Sequence, residues 1–168
     1  TPANNTFLLF YCGKQLPSPI RHAFFSECLF PPLDFYCDHG DVLYGSFCYF
    51  FGSWTASWRD AEDYCFNVWK GHLASFHSIE EVNFLKGDGE RSGTVSVNGI
   101  SLWTGGYSLN AEEKWKWSDG SKMEYIRWST GEPEDDKPVQ RCLSWNLHSH
   151  RWKEDNCGSD RGFICKMR

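Results

Sequence analysis

The chain has 168 residues, with 17 Lys and Arg against 22 Asp and Glu, a formal net charge of −5. That balance excludes the basic surface that a sequence-independent grip on nucleic acid requires, and no apolar run in the chain approaches the roughly 18 residues of a membrane span. Aromatic residues make up 17% of the chain, as 13 Phe, 9 Trp and 7 Tyr, which excludes disorder and predicts a core built largely from rings.

The eight cysteines are Cys12, Cys28, Cys37, Cys48, Cys65, Cys142, Cys157 and Cys165. None stands in a Cys-x-x-Cys pair, so neither a zinc knuckle nor a thioredoxin-type redox centre is supported. An even set of well-separated cysteines reads as four disulfides formed in an oxidising compartment. The opening Thr1-Pro2-Ala3-Asn4 lacks the basic-then-apolar pattern of a leader, so the chain is expected to be a mature secreted protein or an excised ectodomain. Asn4-Asn5-Thr6 makes Asn4 a candidate glycosylation acceptor.

In chain order, residues 1–36 carry Pro17, Pro19, Pro31 and Pro32 with no sustained periodicity, and read as an N-terminal extension that Cys12 and Cys28 could staple to itself. Residues 37–168 read as the main domain. Phe47-Cys48-Tyr49-Phe50-Phe51 predicts a short aromatic strand. Ser57 then predicts an N-cap with Asp60 in the first turn, and Trp58, Ala61, Cys65 and Val68 follow at helical spacing up to a stop at Gly71. Ser78-Ile79-Glu80-Glu81 reads as a capping box opening a second helix, with Ile79, Val82 and Leu85 as its apolar stripe and Gly87 as its end. Asn98-Gly99, between Thr94–Val97 and Ile100–Trp103, predicts a hairpin.

Strand signals fill the second half. Lys114-Trp115-Lys116-Trp117 alternates, with both indoles on one face, and Ser118-Asp119-Gly120 turns the chain. Arg141-Cys142-Leu143-Ser144-Trp145-Asn146 alternates again, and Gly162-Phe163-Ile164-Cys165-Lys166 closes the domain. Two helices and several short strands predict an α+β fold with abundant loop.

The ordered set Cys48-Tyr49-Phe50, Trp58 to Cys65, Leu73-Ala74-Ser75-Phe76-His77-Ser78, Trp103-Thr104-Gly105-Gly106, Trp115-Lys116-Trp117-Ser118-Asp119-Gly120, Glu132-Pro133, Cys142, Trp152, Cys157 and Phe163-Ile164-Cys165-Lys166 resembles the C-type lectin-like domain family in its long form. The resemblance implies two helices packed on small antiparallel sheets, with a long irregular binding loop between the Trp115/Trp117 and Cys142 strands. It implies the disulfides Cys65–Cys165, Cys142–Cys157 and Cys37–Cys48, which leaves Cys12 with Cys28.

In sugar-binding members a calcium ion is held by Glu-Pro-Asn, by a Glu two residues before the next cysteine, and by Trp-Asn-Asp, and the sugar ligates the same ion. Here Glu134 replaces Asn, Gln140 replaces the middle Glu, and Lys153-Glu154 replace Asn-Asp. An ammonium has no lone pair to donate and repels a divalent cation. Lys153 is therefore expected to pair with Glu132 or Glu134 and stand in for the ion. The expected function is extracellular recognition of a protein or other ligand without a bridging calcium, through Glu132, Glu134, Gln140, Arg151, Lys153 and Glu154, with no cofactor. The alternative is a calcium-dependent glycan-binding lectin whose ion is held by Glu132, Glu134, Asp135, Gln140 and Glu154, since carboxylates suit this hard cation. A solvated acidic loop accounts for the same residues.

No catalytic motif appears, so no enzymatic activity is expected. His148 and His150 read as an exposed turn, and His72 and His77 as packing or hydrogen-bonding residues. Lys86-Gly87-Asp88 resembles an integrin-type tripeptide on a loop.

Overall fold

The computed structural model describes residues 37, 41–91, 101–110, 114–134 and 140–168. The expected extension with Cys12, Cys28 and Asn4, the Asn98-Gly99 turn and Asp135 lie outside the described residues.

The aromatic run at 47–51 forms β2 (Phe47–Phe51). It receives β1 (Val42–Tyr44) across a turn in which Gly45 takes a φ of 61°, the left-handed region glycine enters without steric cost. Helix α1 (Trp58–Trp69) starts as the sequence predicts: Ser57 Oγ accepts the Asp60 amide at 3.2 Å, and Trp58, Ala61 and Cys65 face the core. Its left-handed cap is Lys70, with φ 56°, and not Gly71. Gly71 is small for another reason, since a Cβ there would lie 2.3 Å from the Lys166 carbonyl oxygen.

The chain continues through β3 (His72–Leu73) to α2 (Ile79–Arg91). Ser78 Oγ caps the Glu81 amide at 3.1 Å. The Glu81 carboxylate does not close a capping box but accepts the His77 amide at 2.8 Å and turns inward. The helix runs through Gly87 to Arg91, so Lys86-Gly87-Asp88 lies within a helix and not on a loop.

Then follow β4 (Ser101–Ser108), β5 (Lys116–Trp117), β6 (Arg141–Asn146), β7 (Arg151–Asn156) and β8 (Gly162–Met167). The sheet order is β1-β2-β8-β4-β6-β7, with β3 beside β8 and β5 beside β4. All pairs are antiparallel except β4 with β8, which brings the closing strand into the middle of the sheet.

Rings fill the core. Trp103, Trp117, Trp145, Trp152, Tyr49, Phe76 and Phe163 are the largest fully buried side chains. Burying one indole removes about 200 Å² from water, an upper bound of about 5 kcal/mol. Trp145 stacks on Trp152 with centroids 5.9 Å apart, and Phe76 packs against both. Where backbone approaches closely, glycine is required: a Cβ on Gly106 would lie 2.3 Å from the Leu143 side chain. Cystines Cys37–Cys48, Cys65–Cys165 and Cys142–Cys157 are formed, the pairings the family resemblance implies. The bond from α1 to β8 closes a separation of 100 residues, for which chain entropy predicts about 4–5 kcal/mol of stabilisation.

Candidate functional site

Beyond the Ser118-Asp119-Gly120 turn the chain returns along the outer side of β7. The Trp152 amide donates to Arg127 O at 2.8 Å, and the Ser129 amide donates to Trp152 O at 2.7 Å. Arg151 Nη1 donates to Trp128 O at 2.8 Å, and the Trp128 ring meets Trp115 with centroids 5.5 Å apart. Glu132, which precedes Pro133 across a cis peptide bond, accepts the Glu154 amide on its Oε2 at 3.2 Å. The loop up to Glu134 is thus pinned to the sheet by its own peptide groups and by arginine.

Glu134 and Gln140 are exposed, Glu132 and Arg151 are half-buried, and Glu154 is buried. Strand alternation explains the last. In the β6–β7 ladder Leu143 stands opposite Glu154 and Trp145 opposite Trp152, so Glu154 shares the inner face of the tryptophans. Arg141 lies on that same face. Its Nη1 donates to Glu154 Oε2 at 2.9 Å and to Glu134 O at 2.6 Å, and its guanidinium carbon lies 5.4 Å from the centre of the Trp115 ring. Both side chains of the ion pair are 4% exposed. A cation so deeply buried must be matched by a partner, and here a carboxylate, a carbonyl oxygen and an aromatic face supply the match.

Lys153 is placed differently from the sequence expectation. It stands opposite Ser144 on the other face of β7, where its Nζ lies 3.5 Å from Asp155 Oδ2, a carboxylate that also pairs with Arg161. It does not pair with Glu132 or Glu134. The cation beside Glu154 is Arg141, a residue sequence reasoning placed only as part of an alternating strand. The missed signal was in that alternation, which sets Arg141 on the face of Leu143 and Trp145 and Lys153 on the face opposite Trp152.

Calcium takes about six to eight oxygen ligands. The side chains around Glu154 do not fit that demand: one Glu154 oxygen is held by the Arg141 guanidinium, Glu132 Oε2 is held by a backbone amide, and Gln140 is exposed. Among the described residues no group of three or more His, Cys, Asp or Glu is placed to hold a metal ion.

A second polar cluster lies where β2, β8 and the start of α2 meet. Glu81 accepts the Tyr49 hydroxyl and the Lys166 ammonium, the latter at 2.8 Å, and Lys166 also donates to Ser75 O at 3.0 Å. Burial, then the hydrogen bond and the negative charge of Glu81, push the Tyr49 phenol far above its ordinary range. Beside it a cleft of about 390 Å³ is lined by Phe47, Ser75, His77, Asp119, Ser121 and Lys166. Serine, histidine and aspartate meet there, yet they do not form a hydrolytic relay. Ser75 Oγ donates directly to Asp119 and His77 stands to one side at 3.2 Å, whereas a relay requires the imidazole between the other two. Ser75 is fully buried, and its hydroxyl holds the Asp119 turn in place. His148 and His150 belong to the β6–β7 turn.

The family model for the lectin C-type domain matches residues 55–167. Mouse lithostathine-1 is 34% identical over 166 residues, covering 98% of each chain. The crystal structure of human lithostathine superposes with a TM-score of 0.73 at 28% identity, covering 84% of this chain and 97% of that one. A calcium-independent type II antifreeze protein superposes with a TM-score of 0.64 at 27% identity, covering 79% and 94%.

Proposed function

Because the chain belongs to the C-type lectin domain family, we propose that its extracellular ligand is recognised without a bridging calcium ion. Ligand recognition by a disulfide-bonded extracellular domain follows from the family and from the three cystines. The observation that carries the calcium-free reading is the buried Arg141–Glu154 pair. A guanidinium already neutralises the carboxylate on which a divalent ion would depend, and its fixed positive charge opposes the arrival of another. A solved structure of similar fold that is described as calcium-independent supports this reading.

The proposed contact surface is the exposed side of the loop carrying Glu132, Glu134 and Gln140, with Arg151 beside it and Glu154 supporting it from within. Mixed charges on a loop fixed to a rigid sheet set ligand orientation and specificity. The ligand is a protein or a glycan bound through hydrogen bonds and stacking alone. The proposed activity is binding, with no catalytic step.

A calcium titration followed by melting temperature and tryptophan fluorescence, with EDTA as control, tests this reading. The expected result is no shift up to millimolar calcium. A clear rise in melting temperature, as mass action demands of any bound ion, would reverse the proposal in favour of a calcium-dependent lectin. A glycan array run with and without EDTA reads the same alternative at the level of ligand.

A further inference from the structure

We propose that the cleft beside the Glu81–Lys166 pair is a second ligand site, which takes a carboxylate bearing hydroxyl groups, the chemistry of an acidic sugar residue. Segment 75–77, the turn at 119–121 and the ends of β2 and β8 converge on it, and no residue of the loop beside β7 lines it. Its volume of about 390 Å³ falls at the small end of the roughly 300–1,000 Å³ usual for ligand pockets, room for one such residue.

What the lining groups still have to offer sets the class of ligand. Asp119 is nearly filled: its Oδ1 accepts the Ser121 amide at 2.8 Å and hydroxyl at 2.6 Å, and its Oδ2 accepts the Ser75 hydroxyl. A carboxylate has about four lone-pair sites, so one remains. Ser75 gives its single proton to Asp119, so its 3.2 Å contact with His77 Nε2 puts the imidazole proton on that nitrogen and leaves Nδ1 as an acceptor. Lys166 donates to Glu81 and to Ser75 O, and its remaining N–H has no oxygen partner among the described residues. Arg168 is exposed and makes no ion pair among the described residues. Its guanidinium carbon lies 5.2 Å from the centre of the Phe47 ring, and Lys166 Nζ lies 4.6 Å from the same centre. One ring therefore orders two cations at one wall, in advance of any ligand.

The unspent donors are cationic, and the unspent acceptors are a carboxylate and an imidazole nitrogen. A bare anion answers only the cations and meets the charge of Asp119. A neutral sugar answers only the acceptors. A hydroxylated carboxylate answers both: its oxygens accept from the Arg168 fork and from Lys166, and a hydroxyl donates to Asp119 or His77.

The test records amide NMR spectra of the full chain, cystines intact and in EDTA buffer, titrated with glucuronate. Glucose and acetate are the comparison probes, each carrying half of the chemistry. Glucuronate is expected to shift the Ser75, His77, Ser121 and Lys166 amides saturably at millimolar concentration, and both comparison probes to bind about tenfold more weakly. Arg168→Gln removes the charge at an exposed position and is expected to weaken glucuronate about tenfold. Phe47→Leu leaves the guanidinium unordered and is expected to weaken it several-fold, with the β6–β7 amides unchanged in both variants as the control for folding. No saturable shift with glucuronate would overturn the site. Equal affinity for glucose would overturn the role of the carboxylate, and equal affinity for acetate that of the hydroxyls. Unaltered affinity in Arg168→Gln would overturn the part given to the guanidinium. Calcium enters none of these measurements, so the calcium-free reading of the loop stands or falls separately.

Discussion

Two buried carboxylate–cation pairs sit in different parts of the domain, and they are built to different standards. Glu81 and Lys166 are 5% and 6% exposed, and Glu81 also accepts the Tyr49 hydroxyl and the His77 amide, so strands, helix and connecting segment meet on one carboxylate. Arg141 and Glu154 are as deeply buried, yet Arg141 Nε has no hydrogen-bond partner among the described residues. The first pair joins elements of the scaffold. The second joins a strand to a loop that also holds the exposed Glu134. A closed network rigidifies the fold, whereas one with spare donor capacity beside an exposed loop sets the loop's position and remains open to replacement.

The sharpest way to break this comparison is the same isosteric change at both carboxylates. Glu81→Gln leaves the Lys166 ammonium buried without its counter-charge and is expected to cost about 3–5 kcal/mol in urea unfolding. Glu154→Gln is expected to cost less, about 2 kcal/mol, because this pair borders a loop that can admit water, whereas Glu81 also holds the Tyr49 hydroxyl and the His77 amide. Equal losses would show that both pairs are scaffold. Tyr49→Phe removes one donor from a carboxylate that keeps two others, and about 1 kcal/mol of destabilisation is expected by the same measurement.

Acid titration refines the contrast further. Burial alone would raise the Asp119 carboxyl, but hydrogen bonds from Ser121 and Ser75 and the nearby Lys166 charge outweigh it, and the group lies below its ordinary 3.8. A depressed carboxyl stabilises the fold above its unfolded value and loses that contribution as pH falls through the folded one. Asp119→Asn is therefore expected to lower the melting temperature at neutral pH, where the contribution is fully present, and to flatten the acid limb below about pH 4, so that the two profiles converge in acid. An unaltered limb would place the acid sensitivity elsewhere. The smallest effect belongs to Lys153→Asn. Its ammonium is half-exposed beside Asp155 on the far face of β7, so stability should move by less than about 0.5 kcal/mol, and no calcium response should appear.

Much of the fold was legible because its signals are local. Ser57 caps α1, Cys65 lies on its inner face, and the alternation through Leu143 and Trp145 survives as β6. The residues that were misjudged depend on what lies across a strand or around a helix. Lys70 takes the left-handed cap because α1 ends at Trp69, two residues before the glycine, and Gly71 is spent on contact with β8. Glu81 leaves its capping role because Lys166, distant in sequence, arrives beside it. The site was read from spacing to the cysteines, which puts Lys153 next to Glu154 in sequence; a strand sends neighbouring side chains to opposite faces. Trp152 already marked the inner face, and that mark identifies Glu154 as buried and Arg141 as its neighbour.

The sheet ends at β7, and a terminal strand normally offers a row of free amides on which another chain can grow. Here the outward amides of Trp152, Glu154 and Asn156 are taken by Arg127 O, Glu132 Oε2 and Asp155 Oδ1. The segment proposed to present the recognition surface therefore also covers two of these three amides. A ligand can be gripped at that margin without the domain becoming a template for stacking copies of itself.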